Sequence, residues 1–115
     1  ASKFSLTHKL AMTYATGDTI IVTFTNPQAS HFAVNWARGL HSLGLKSVVG
    51  MSERLGVAVE AQLHAASAGV FCADGRAMKR NGQAGRWAEV ALLLTHGFNV
   101  LLSDSDIGWL RDPLP

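Results

Sequence analysis

Cysteine is almost absent from this chain of 115 residues: Cys72 is the only one, so no disulfide can close within it and no zinc site can rest on thiolates. Histidine occurs five times, at His8, His31, His41, His64 and His96, and no two of these stand four residues apart. That spacing excludes a paired-histidine metal face on a single helix, and each reads as a surface or hydrogen-bonded core histidine. Long apolar runs are missing as well. None reaches the roughly 18 residues that a membrane-spanning helix needs. The opening Ala-Ser-Lys-Phe lacks the pattern of a signal peptide. An excess of one charge is also missing, with ten basic residues against eight acidic ones. The basic residues form no stripe, so nucleic acid is not an expected partner. Internal repeats and low-complexity tracts are absent too.

What is there suits one small folded domain. Hydrophobic residues make up 48% of the chain and charged ones 16%, a balance that supports a core and argues against wholesale disorder. Residues 1–17, ending at Gly17, show mixed periodicity and read as a weak helix or an arm. From Asp18 to Thr25 the run Asp-Thr-Ile-Ile-Val-Thr-Phe-Thr is rich in β-branched residues and predicts a buried strand. Asn26-Pro27 ends it, because proline lacks a ladder donor. Phe32, Trp36, Leu40 and Leu43 then recur at helical spacing, with Gly44 as the stop.

Lys46 to Met51 predicts a second strand, and Ser52-Glu53 suits the start of a helix carrying Leu55, Val59 and Leu63 to about Ser67. Gly69 to Ala73 predicts a third strand. Residues 74–85 are polar and glycine-containing, and read as a loop. Arg86 to His96 predicts an apolar helix stopped by Gly97, and Phe98 to Ser103 a last strand that delivers Asp104.

Alternating strands and helices predict an α/β fold with a parallel sheet, in which ligands sit beyond the carboxyl ends of the strands. Thr25-Asn26, Ser52, the segment from Asp74 and Asp104-Ser105-Asp106 occupy those positions. In extended backbone, residues i and i+2 project from the same face, so Asp104 and Asp106 can aim two carboxylates at one point. Such a pair suits Mg²⁺ or Mn²⁺, which accept one or two carboxylates and fill other positions with phosphate oxygens and water. A bound cation also relieves the repulsion between the two acids. Two solvated acids on a turn is the plainer reading of the same residues.

The stretch Gly97-Phe-Asn-Val-Leu-Leu-Ser-Asp-Ser-Asp-Ile-Gly-Trp-Leu-Arg-Asp-Pro113 closely resembles the core motif of the nucleotide-diphospho-sugar transferases. That family holds the arabinosyl-, xylosyl- and galactosyl-type enzymes of glycosyltransferase family 77 in plants and algae. Val22-Thr-Phe-Thr-Asn26, Phe32-Ala-Val-Asn-Trp36 and Gly44-Leu45 match it too, so the resemblance covers residues 18–115.

The resemblance implies a GT-A fold, a Rossmann-like parallel sheet with flanking helices, here an incomplete domain cut after the Asp-x-Asp motif. It further implies a metal-dependent transfer of sugar from a nucleotide-diphosphate donor to a glycan or glycoprotein acceptor. Asp104 would lie near ribose and metal, Asp106 would be the more direct Mn²⁺ or Mg²⁺ ligand, and Thr25 and Asn26 would lie against the nucleotide. Arg86 stands where many members have lysine, keeping the charge but presenting a fork in place of a point. The acceptor-binding half is expected beyond Pro115, and a Golgi lumen location for the full-length parent.

The sequence departs from the family after the second strand, where an Asp is usual and Met51-Ser52 stand. Trp36 and Trp109 read as packing residues, Asn35 as a buried polar anchor, and Asp112-Pro113 as a turn. A strand followed by Asp-x-Asp also opens the haloacid-dehalogenase-type phosphohydrolases. There the motif comes early and carries Thr or Val where Gly108 stands here. A third reading is a non-catalytic fragment that binds a sugar nucleotide without turnover.

Overall fold

The computed structural model describes residues 8–51, 53–72, 90–91 and 93–103. Four strands, β1 (Thr19–Thr25), β2 (Ser47–Met51), β3 (Ala68–Cys72) and β4 (Asn99–Leu102), form one all-parallel sheet in the order β3-β2-β1-β4. Helices α1 (His8–Tyr14), α2 (Ser30–Ser42) and α3 (Val57–Ala65) flank it, with a single 3₁₀ turn, Pro27–Ala29, leading into α2. Residues 90–91 and 93–95 are also helical. The expected α/β architecture is therefore present, with each strand start and end within a residue or two of its predicted limits. No described helix is long and apolar enough to cross a membrane.

Alternation along the strands sorts the core into two layers. Ile21, Val49 and Ala68 pack with Ala33, Trp36, Ala37 and Leu40 of α2 and Leu63 of α3. On the other face Ile20, Val22, Phe24, Val48 and Phe71 pack with Ala11 of α1 and with Leu93. A strand covered on both faces must be apolar at nearly every position, and β1 and β2 are buried along almost their whole length. β4, on an outer side of the described sheet, is only partly buried.

Two close approaches set the second layer. Phe24, Gly50 and Phe71 are level across β1, β2 and β3. The two phenyl rings meet edge to face over the glycine, 6.0 Å apart at 82°. A Cβ on Gly50 would come within 2.6 Å of the Phe24 ring and 2.8 Å of the Phe71 ring. At Gly69 a Cβ would come within 2.5 Å of the Tyr14 ring, so the bare backbone of β3 is where α1 lands. Lys46 Nζ donates to the Thr13 carbonyl at 3.3 Å, tying the far end of α1 to the start of β2.

Helix boundaries differ from the sequence reading in two places. The buried face of α2 is Ala33, Trp36, Ala37 and Leu40, spaced i, i+3, i+4 and i+7, whereas Phe32 is 44% exposed. Its position one residue before Ala33 puts Phe32 at the rim, where it stacks with His31. The helix expected from Ser52-Glu53 starts at Val57 instead. Gly56, with φ 107°, turns the chain into it through a conformation that side chains disfavour. Gly44 and Gly97 close their helices at positive φ as predicted. Within residues 1–17 the helix is His8–Tyr14, and the 74–85 loop lies outside the described residues.

Gly50→Ala should destabilise the fold by about 1–3 kcal/mol, the usual cost of overpacking a filled core. Urea unfolding of the variant measures it. An unchanged midpoint would mean that the two rings move apart without cost.

Candidate functional site

All four strands point the same way, so Thr25, Met51, Cys72 and Leu102 end on one edge of the sheet. From β1 the chain moves outward through β2 to β3, then returns to the opposite side of β1 as β4. Such a reversal of strand order is where open α/β sheets hold ligands. Thr25-Asn26 stands on one side of this reversal. Ser103, the residue before Asp104, stands on the other.

The two sides are held in a defined register. Val22 is level with Leu102, and Ser103 N–H donates to the Val22 carbonyl at 3.0 Å. β1 continues to Thr25, three residues past the level of Leu102, and forms a wall beside the exit of β4. Asp104, Asp106 and Arg86 lie outside the described residues, as does Ser52.

Thr25 and Asn26 have different environments. Thr25 is buried, and its hydroxyl donates to the Asn26 carbonyl at 3.3 Å. Asn26 is exposed and extended, and its Oδ1 accepts from Ala29 N–H at 3.0 Å, capping the turn into α2. The carbonyl oxygen thus holds the turn, and the amide N–H groups of Asn26 remain the donors this loop offers to a ligand. Pro27 follows, where a missing N–H costs nothing at the start of a helical turn.

Asn35 is exposed, which corrects its reading as a buried polar anchor. Its neighbour Trp36 has that role. Trp36 is 1% exposed, and its indole Nε1–H donates to Ser103 Oγ at 3.1 Å in a buried contact between α2 and the end of β4. A buried N–H without a partner costs about 1–3 kcal/mol, so this bond constrains where the chain can leave the sheet. Sequence reasoning missed Ser103 because its partner lies 67 residues away.

Beyond β2, the chain forms a loop with an ion pair. Arg54 Nε donates to Glu60 Oε2 at 3.0 Å, and Nη2 donates to Oε1. Glu60 Oε2 also accepts from the N–H groups of Leu55 and Gly56 at 3.1 and 3.3 Å. Glu60 therefore closes the loop onto the first turn of α3, the task the sequence reading gave to Ser52-Glu53. The hydrogen bond from Arg54 holds its carboxyl below the ordinary carboxylate range, against a smaller opposing effect of burial. A depressed carboxylate contributes stability above its unfolded-state pKa, about 4.3, and loses it as pH falls through the lower folded value.

Two measurements check these assignments. In a double-mutant cycle on urea unfolding, Trp36→Phe and Ser103→Ala should be coupled by about 1 kcal/mol. Strict additivity would show that the bond contributes nothing. Glu60→Gln should be less stable than the unmodified protein at pH 7, and the difference should shrink as pH drops below the carboxylate range. A difference that stays constant in acid would remove the ion pair from the loop's stability.

Comparison with protein-family models, with curated proteins and with solved structures gives no match to this chain, so a functional reading draws on the residues and geometry of this edge.

Proposed function

We propose that the sheet edge between the ends of β1 and β4 binds the diphosphate of a sugar nucleotide, and that the protein is part of a metal-dependent glycosyltransferase. The observation that carries this reading is the pairing of β1 with β4 at the reversal of strand order, with Asn26 following one strand and Ser103 the other. Ser103 is followed directly by Asp104-Ser105-Asp106. In this reading Asp106 and Asp104 hold Mn²⁺ or Mg²⁺. Two carboxylates are hard oxygen donors and leave coordination positions for phosphate, which fits those ions. When bound, the ion supplies Lewis-acid stabilisation of the departing nucleoside diphosphate.

The chain's own residues do the positioning. Asn26 offers amide N–H donors to nucleotide or phosphate oxygens from an extended loop fixed by its own cap. Arg86 adds a forked cation suited to phosphate. The acceptor is proposed to be a glycan or glycoprotein, held by residues other than these. Holding donor and acceptor together supplies much of the rate in such a transfer, so donor binding alone is the part of the reaction assigned to this edge.

Titration of Mn²⁺ in the presence of a nucleoside diphosphate tests the reading. Asp106→Asn should weaken Mn²⁺ binding at least tenfold and Asp104→Asn less. Equal and unaltered affinity in both variants would return the motif to an ordinary turn.

A further inference from the structure

The fold brings together two histidines that are 88 positions apart in the chain. The rings of His8, at the start of α1, and His96, just before Gly97, lie 5.0 Å apart at 56°. Phe98 packs against His8 at 5.6 Å. Both histidines are exposed. We propose that His8 and His96 form a two-imidazole binding site for a borderline transition-metal ion, with Zn²⁺ as its natural occupant.

The spacing is the first argument. A Zn–N bond of about 2.0–2.1 Å puts each ring centre about 3.2 Å from the ion. Two such rings at angles between about 90° and 110° have centres about 4.5–5.2 Å apart. The observed separation of 5.0 Å falls inside that range, so rotation of the two side chains is enough to bring one nitrogen of each ring to a common ion. Ligand chemistry is the second argument: neutral imidazole favours Zn²⁺, Cu²⁺ and Ni²⁺ over the hard ions that carboxylates select. The site is therefore chemically distinct from the acidic pair that follows β4.

Support around the pair is the third argument. Phe98 packs on one ring, and Phe98 N–H donates to the Leu93 carbonyl at 3.2 Å, which holds the turn carrying His96. On the other side, Ala11 and Tyr14 anchor α1 to the sheet. No group of three or more His, Cys, Asp or Glu is assembled among the described residues. With these two ligands the ion would keep positions open for water or a further donor. Binding would cross-link α1 to the segment entering β4 and stabilise the folded state in proportion to occupancy.

Zinc titration of the whole chain, by calorimetry and by thermal unfolding, tests this. A saturable Zn²⁺ site that depends on both histidines, and a rise in Tm with Zn²⁺, are expected. His8→Ala and His96→Ala should each weaken binding at least tenfold, and the double variant should lose the site. Both side chains are exposed, so the variants should fold. His31→Ala and Asp106→Asn should leave this Zn²⁺ affinity unchanged, which separates the site from the sugar-nucleotide reading. Absence of saturable binding would overturn the proposal. So would an unmodified affinity in either His8→Ala or His96→Ala, or an equal loss in His31→Ala.

Discussion

Burial of β1 on both faces is the constraint on which the rest of the molecule depends. Its side chains alternate between the two core layers, Ile21 toward α2 and α3, and Ile20, Val22 and Phe24 toward α1 and Leu93. It also pairs on both sides, with β2 and with β4. Crossover connections between parallel strands put helices on both faces of the sheet, and parallel pairing collects every strand end on one edge. The candidate site is thus a consequence of how the core is covered.

Around that edge, polar side chains do local work that apolar packing cannot. Asn26 uses its carbonyl oxygen to start the turn into α2, and Glu60 closes the β2–α3 loop through Arg54 and two backbone N–H groups. Trp36 joins α2 to the end of β4 by adding one directed bond to a buried ring. Dispersion alone would let the end of β4 slide against α2. A hydrogen bond buried beside it specifies one position, because the alternative leaves a polar group unpaired in a dry environment.

The proposed zinc pair and the proposed acidic site illustrate two ways in which ligand groups are assembled. Asp104 and Asp106 are neighbours in sequence, so their pairing needs only an extended backbone. His8 and His96 meet only because α1 and the residues before β4 cover the same face of the sheet. Local spacing finds the first kind of site. The second kind becomes visible when the layers are known.

Periodicity was enough to locate the four described strands, α2 and the body of α3, since a doubly covered strand is apolar at most positions and a covering helix must repeat its apolar face every turn. It also placed Thr25-Asn26 at a strand end and Trp36 in the core. Strand order lay beyond it, because β1 could pair with any apolar neighbour until crossovers and helix packing selected β3-β2-β1-β4. Gly50 read only as one residue of a strand until Phe24 and Phe71 were seen to close over it. The start of α3 at Val57, the exposure of Asn35 and Phe32, and the bond from Trp36 to Ser103 were likewise decided in three dimensions. The amino-acid sequence determined which segments could be buried. Tertiary structure decided which of them met, because contacts between distant segments depend on the geometry of the covered sheet and leave no local pattern in the chain.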